Sequence, residues 1–200
     1  MTKVGVTGDV EFAAIDFEST GSSSLEESSP IQIGLALMRG RTLMPNTFFR
    51  SYLQSSRHTF RSAHVARRAD SAQLLRAPSL LSLWPVIRKH LQGRRVVAHS
   101  IASEKRYLRI FPFHGFGPWI DTLKLARALY PGLNDYSLGN LVIRLKIEEE
   151  MTQLCYGLEW HDALYDAVAS LLLLRTLMET CQHSVAEYNS SNNGVMCPDF

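Results

Sequence analysis

The sequence predicts a mixed α/β sheet with helices on its faces, and three observations support this. Residues 12–21 read as an apolar strand that ends in two acids and a turn. Two further strand-like runs follow across short connections, as in an antiparallel meander. Past residue 78, brief apolar runs alternate with stretches of helical spacing. The predicted element order is β-β-β-α-β-α-β-α.

Residues 1–9 read as a loose leader or a short edge segment. The first strand covers about 10–17, and the Ser-rich stretch 19–30 is a flexible loop. A second strand spans 31–38, Arg39-Gly40-Arg41 makes a hairpin turn, and 47–53 form a third strand with aromatics. Residues 62–68 and 71–76 look like short helices. Pro78-Ser79 opens a clearer one through Leu91, with Leu80, Leu81, Leu83, Trp84, Ile87 and Leu91 at helical spacing. A buried strand at 96–99 leads into a helix over 102–110. Strand 119–121 runs into a helix over 122–129, which Pro131-Gly132 breaks. Residues 136–145 form a helix that Asp135 is placed to cap. The longest helix, 162–180, is apolar on nearly every side in its middle, so it should be covered on both sides. Residues 10–182 then form one domain, and the polar stretch 183–200 reads as a disordered tail.

At 200 residues the chain is long enough for one domain with a substantial core. Its apolar fraction of 46%, charged fraction of 20% and net charge of +2 neither demand nor exclude a nucleic-acid partner. Basic residues cluster at Arg57, His58, Arg61, His64, Arg67 and Arg68, at Arg88, Lys89, His90, Arg94 and Arg95, and at Lys105, Arg106 and Arg109. Such clusters suit phosphate contacts, although solvated helix faces look the same. Cys155, Cys181 and Cys197 form no zinc or redox spacing, which fits reduced thiols in a cytoplasmic protein. No secretory signal is visible, and the longest apolar run, 167–174, is far too short to span a membrane.

Three motifs carry chemistry. Side chains two apart on a strand share a face, so Asp16 and Glu18 point the same way where the first strand runs out. Two carboxylates that close repel each other unless a cation sits between them, and Mg²⁺ favours such oxygen ligands. A strand that leaves the core on two solvated acids would read the same way. Further along, Glu104 follows the buried run Val96-Val97-Ala98-His99-Ser100. Finally, His161 and Asp166 flank the start of the long helix. Positions five apart do not share a helix face, so a common site puts His161 on the lead-in loop and Asp166 on the helix. A mobile imidazole beside a fixed carboxylate suits a general base next to a metal ligand.

In these motifs the chain resembles the DEDDh-type 3′–5′ exonucleases of the DnaQ-like family. Asp16-Phe17-Glu18-Ser19-Thr20-Gly21 matches the first family motif, 98–104 the Ala-His-Asn-x-x-Phe-Asp motif, and His161 with Asp166 the closing His-x-x-x-x-Asp. The resemblance runs from about residue 12 to 178. The stretch 119–127 followed by Tyr130-Pro131-Gly132 is similar to the exodeoxyribonuclease X branch. The chain departs from the family at Glu104, where members carry Asp, at Ser100, commonly Asn, and at Ser103, usually Phe.

The resemblance implies a ribonuclease-H-like fold with a mixed five-stranded sheet, three strands antiparallel and two parallel. It implies 3′–5′ exonuclease activity on DNA, with single-stranded ends or 3′ overhangs preferred and nucleoside 5′-monophosphates released. Asp16 would bridge two Mg²⁺ ions, Glu18 and Asp166 would complete one site, Glu104 would support the other, and His161 would be the base; Mn²⁺ can substitute. Thr20, Gly21, Leu25, His99, Ser100 and Tyr107 are candidate substrate contacts. Leu25 reads equally as a loop anchor, His99 as an ordering residue of its turn, and Tyr107 as core. His64 reads as a packed or capping residue or as one near the substrate path. Helix capping accounts for Asp121 and Asp162, and Trp84, Trp119 and Trp160 suit the core. The expected partner is a nucleic-acid 3′ end, with a protein partner in a larger DNA-processing complex also conceivable, and no membrane. An RNA or short-oligonucleotide exonuclease of the same fold, or a degenerate module that binds 3′ ends without cutting, fits the same motifs.

Overall fold

A computed structural model describes residues 10–20, 28–55 and 71–191, the side chains of 71 and 183–191 excepted. Strand β1 (Glu11–Ser19) lies at the centre of a six-stranded sheet. It pairs antiparallel with β2 (Pro30–Arg39), which in turn carries β3 (Thr42–Leu43) and β4 (Phe49–Tyr52), both antiparallel. On its other side β1 pairs in parallel with β5 (Arg95–Ala98), and β5 with β6 (Trp119–Asp121). The expected three antiparallel and two parallel strands are all present. The sixth, β3, was not expected: two residues after a hairpin turn are too few to leave a period-two pattern.

The sheet separates two apolar layers. Ala13, Ile15, Phe17, Ile33, Leu35 and Leu37 face α2 (Trp84–Leu91) and α3 (Ala102–Leu108). Trp84 packs there against Phe111 and Phe116, and Trp119 donates from its indole to the Phe116 carbonyl. Phe12, Ala14, Ala36, Met38 and Val97 face the long α7 (Ala163–Ser191). Helices α4 (Thr122–Leu129), α5 (Leu138–Arg144) and α6 (Glu148–Leu154) cover the outer side of α7. This is why Ala167 to Leu174 are buried on every side. Trp160 packs edge-on against Tyr165 in the same layer. Cys155 is a buried thiol there, and burial pushes its pKa up to about 12; Cys181 is buried on α7.

Several elements differ from expectation. The helix foreseen from residue 78 opens as a 3₁₀ turn, Leu81–Leu83, before α2, and α1 (Ser71–Arg76) falls where it was expected. The cap of α5 is Ser137, whose hydroxyl accepts from the Asn140 amide; Asp135 instead holds Ser137. Helix α6, opening with three glutamates, was not foreseen. Helix α7 runs on to Ser191, past the point at residue 183 where a polar tail was expected to begin. The expected helix at 62–68 and the last residues, 192–200, lie outside the described residues. No helix among the described residues is long and apolar enough to cross a membrane.

Candidate active site

The site forms where β1 leaves the core. Asp16 and Glu18 occupy one face of β1, opposite Gly34 and Gln32 on β2. The start of α7 crosses that face, and it can do so because Gly34 has no side chain. A Cβ at Gly34 would lie 2.1 Å from the Ala163 carbonyl oxygen. Gln32 then accepts from the Ala163 amide at 2.8 Å and donates to Asp162 Oδ2 at 3.3 Å. Arg50 on β4 also donates to Asp162 Oδ2, at 2.5 Å, and Asp162 Oδ1 accepts from the Leu164 amide. Asp162 thus caps α7 and ties it to two strands.

This anchoring sets the last motif. His161 precedes the helix with φ at +66°, a left-handed conformation that non-glycine residues seldom adopt, while Asp166 is fixed on the first turn. Glu18, His161 and Asp166 each offer a ligand atom, and these atoms lie within 4.8 Å of one another. Glu104, in the first turn of α3, is 4% exposed. Asp16 feels the charges of Asp166, Glu104 and Glu18, so these three acids lie within electrostatic range of it.

The electrostatics of the cluster are those of an uncompensated acid site. Burial, followed by the neighbouring carboxylates, holds Asp16 well above its ordinary value. Burial raises Glu104 to about 7. Burial and the charge of Glu18 raise Asp166 to about 8, and Glu18 is also raised, first by burial and then by Asp162. Glu18 and Asp166 share a hydrogen bond that favours the proton on Asp166. Asp16 Oδ2, Glu104 Oε2 and Asp166 Oδ1 are shielded from solvent and have no hydrogen-bond partner. Buried carboxylate oxygens in that state are costly unless a cation satisfies them. Hard oxygen donors with one imidazole fit a divalent cation such as Mg²⁺ or Mn²⁺.

The expected substrate contacts divide. Thr20 is buried, its amide donates to the Ser29 carbonyl, and its hydroxyl accepts from the Ser29 amide. Its N–H is therefore engaged with Ser29. Gly21, Leu25 and His64 lie outside the described residues. Both ring nitrogens of His99 are engaged, by the Thr122 hydroxyl at 3.0 Å and the Tyr136 carbonyl at 2.8 Å, so it orders the turn between β5 and α3. Burial lowers its pKa. Ser100 is exposed with φ at +72°, and its amide donates to Asp121, which also caps α4. Tyr107 is 9% exposed, packs edge-on against Phe17, and its hydroxyl meets Ser28 at 2.9 Å. Sequence reasoning missed Gln32 and Arg50. Each meets Asp162 from more than a hundred residues away, which no local pattern signals.

The chain is similar to several known proteins. The chain is 39% identical over 84 residues to exodeoxyribonuclease 10 of Escherichia coli K12, covering 42% of this chain and 34% of that protein. It is 28% identical over 143 residues to the PolC-type DNA polymerase III of Thermotoga maritima, covering 69% of this chain and 10% of the polymerase. The chain thus spans no more than about a third of these curated relatives. Among solved structures, the nuclease domain of 3′hExo, a DEDDh family member bound to rAMP, superposes with a TM-score of 0.61 at 18% identity, covering 84% of this chain and 92% of that one. The exonuclease family named for RNase T matches residues 13–174, and the chain belongs to that family.

Proposed function

We propose that this chain is a metal-dependent 3′–5′ exonuclease that hydrolyses phosphodiesters at the 3′ end of DNA, preferring single-stranded ends or 3′ overhangs and releasing nucleoside 5′-monophosphates. One observation carries the reading: three partnerless, buried carboxylate oxygens, on Asp16, Glu104 and Asp166, gathered in one acid cluster beside an exposed imidazole. The preference for DNA is supported by the identity to exodeoxyribonuclease 10.

Asp16, facing the other three acids, would bridge two Mg²⁺ ions, with Glu18 and Asp166 completing one site and Glu104 supporting the second; Mn²⁺ would substitute. Bound there, the cations would supply Lewis acidity to the attacking water and to the departing 3′ oxygen. His161 stands on the solvent side of the cluster and takes the proton from water. Asp166 holds its position through the first turn of α7. Glu104, one methylene longer than Asp, lies in a buried helix turn, and its partnerless oxygen would reach toward the second ion.

A 5′-labelled oligonucleotide incubated with Mg²⁺ or Mn²⁺ tests this. Laddering from the 3′ end is expected, and Asp16→Asn should abolish it. Laddering that survives in Asp16→Asn would refute the metal assignment. Binding without cleavage in any divalent ion would favour a 3′-end-binding module. A matched panel of DNA and RNA substrates, single-stranded, duplex and overhanging, decides the substrate.

A further inference from the structure

We infer that the edge of the sheet beside α1 is a subsite for the phosphodiester backbone of the substrate strand, 5′ to the bond being cut. The inference rests on the exonuclease reading above and adds where the rest of the strand lies.

Sheet register places the subsite. Asp16 pairs with Gly34 and Gly34 with Arg50; Glu18 pairs with Gln32 and Gln32 with Tyr52. Residues paired directly across strands share a face, so Arg50 and Tyr52 lie in the same two rows as the acids and on the same face. Adjacent strands are about 4.8 Å apart, so β4 stands about 10 Å from the carboxylates. A strand whose terminal nucleotide lies at the acids carries its next phosphates at that range.

The chemistry there suits a phosphate. Arg50, Tyr52 and Ser51 on β4 line a pocket of about 580 Å³ together with Gln73 and Arg76 of α1. Among the described residues, no acid lines it. The bond to Asp162 occupies one of the five guanidinium donors of Arg50. Arg50 is therefore shared between the pocket and the cap of α7, next to His161. The contrast with the pocket at the far end of β1 is instructive. That space of about 670 Å³ is also lined by arginines, Arg39 and Arg94, but Glu11 pairs with both, at 2.6 and 2.7 Å. In the pocket beside the acids, Asp162 pairs with Arg50, and among the described residues Arg76 has no acidic partner.

Charge variants at Arg76, an exposed residue of α1, test this without touching the cap of α7. Fluorescence anisotropy in Ca²⁺ would compare 5′-labelled thymidine oligonucleotides of two and eight nucleotides. For the octamer, Arg76→Ala should weaken binding about five- to tenfold, Arg76→Glu more, and Arg76→Lys least, and the salt dependence should flatten by about 0.7 in log–log slope. The dimer, too short to span both sites, should shift less than about twofold. An octamer affinity unchanged in Arg76→Glu, an equal loss at both lengths, or no binding of the octamer to the wild-type chain would overturn the subsite. Failure of the functional reading shows elsewhere, as absence of laddering by wild-type protein in Mg²⁺ and Mn²⁺.

Discussion

At the scale of single residues, Glu104 is the most informative position. It stands where family members carry Asp, yet it is buried, with one oxygen left without a partner. That environment suits the proposed role of Glu104 in supporting a metal ion. Glu104→Asp should keep activity or raise it. Glu104→Gln, equal in size but without charge, should lower kcat by about 100-fold or more, the ~3 kcal/mol of a lost metal-supporting charge. Steady-state cleavage rates for both variants check this, and full activity in the Gln form would remove Glu104 from the site. Asp16, Glu18, His161 and Asp166 could be picked out from local rules, since Asp16 and Glu18 share a strand face and His161 and Asp166 flank a helix start, whereas Glu104 came from the family motif. Arg50 and Gln32 were not legible, because their roles exist only after distant segments meet. The bond from the Thr20 amide to the Ser29 carbonyl was not legible for a related reason, because it joins residues nine apart with no spacing signature.

At the scale of elements, the contact between β2 and α7 decides the site's geometry. Gly34 lies against the Ala163 backbone, and neither partner can swing aside. Gly34→Ala should therefore push the start of α7 off the sheet, costing about 3 kcal/mol or more, at the upper end of overpacking penalties. It should also separate His161 and Asp166 from Glu18. Thermal melts and cleavage assays together check this, since both stability and activity should fall. Unchanged values for both would mean that the crossing is looser than this. The strands were readable from alternation and the long helix from its apolar girth. Helix α6 and the two-residue β3 were missed because one opens on charged residues that suit a loop equally and the other is shorter than any period.

At the scale of the whole molecule, the acid cluster links folding to protons and cations. Glu104 and Asp166 titrate higher in the folded chain, at about 7 and about 8, than carboxylates do when exposed. The folded state thus binds more protons than the unfolded one between about pH 4 and these values, and stability falls as pH rises through that window. In EDTA the melting temperature should be lower at pH 8.5 than at pH 5.5. Mg²⁺ or Mn²⁺ should recover more of it at the higher pH, where the ions have fewer protons to displace. Calorimetry at both pH values checks this, and a flat profile in EDTA would mean the acids are better solvated than their burial indicates. The same core holds a native clock. Cys155 is enclosed between α7 and its covering helices and Cys181 is buried on α7 itself, so an alkylating reagent reaches Cys155 only when that layer parts. In a Cys181→Ser, Cys197→Ser background, the labelling rate of Cys155 would time the breathing of the α7 layer without any nucleic acid present.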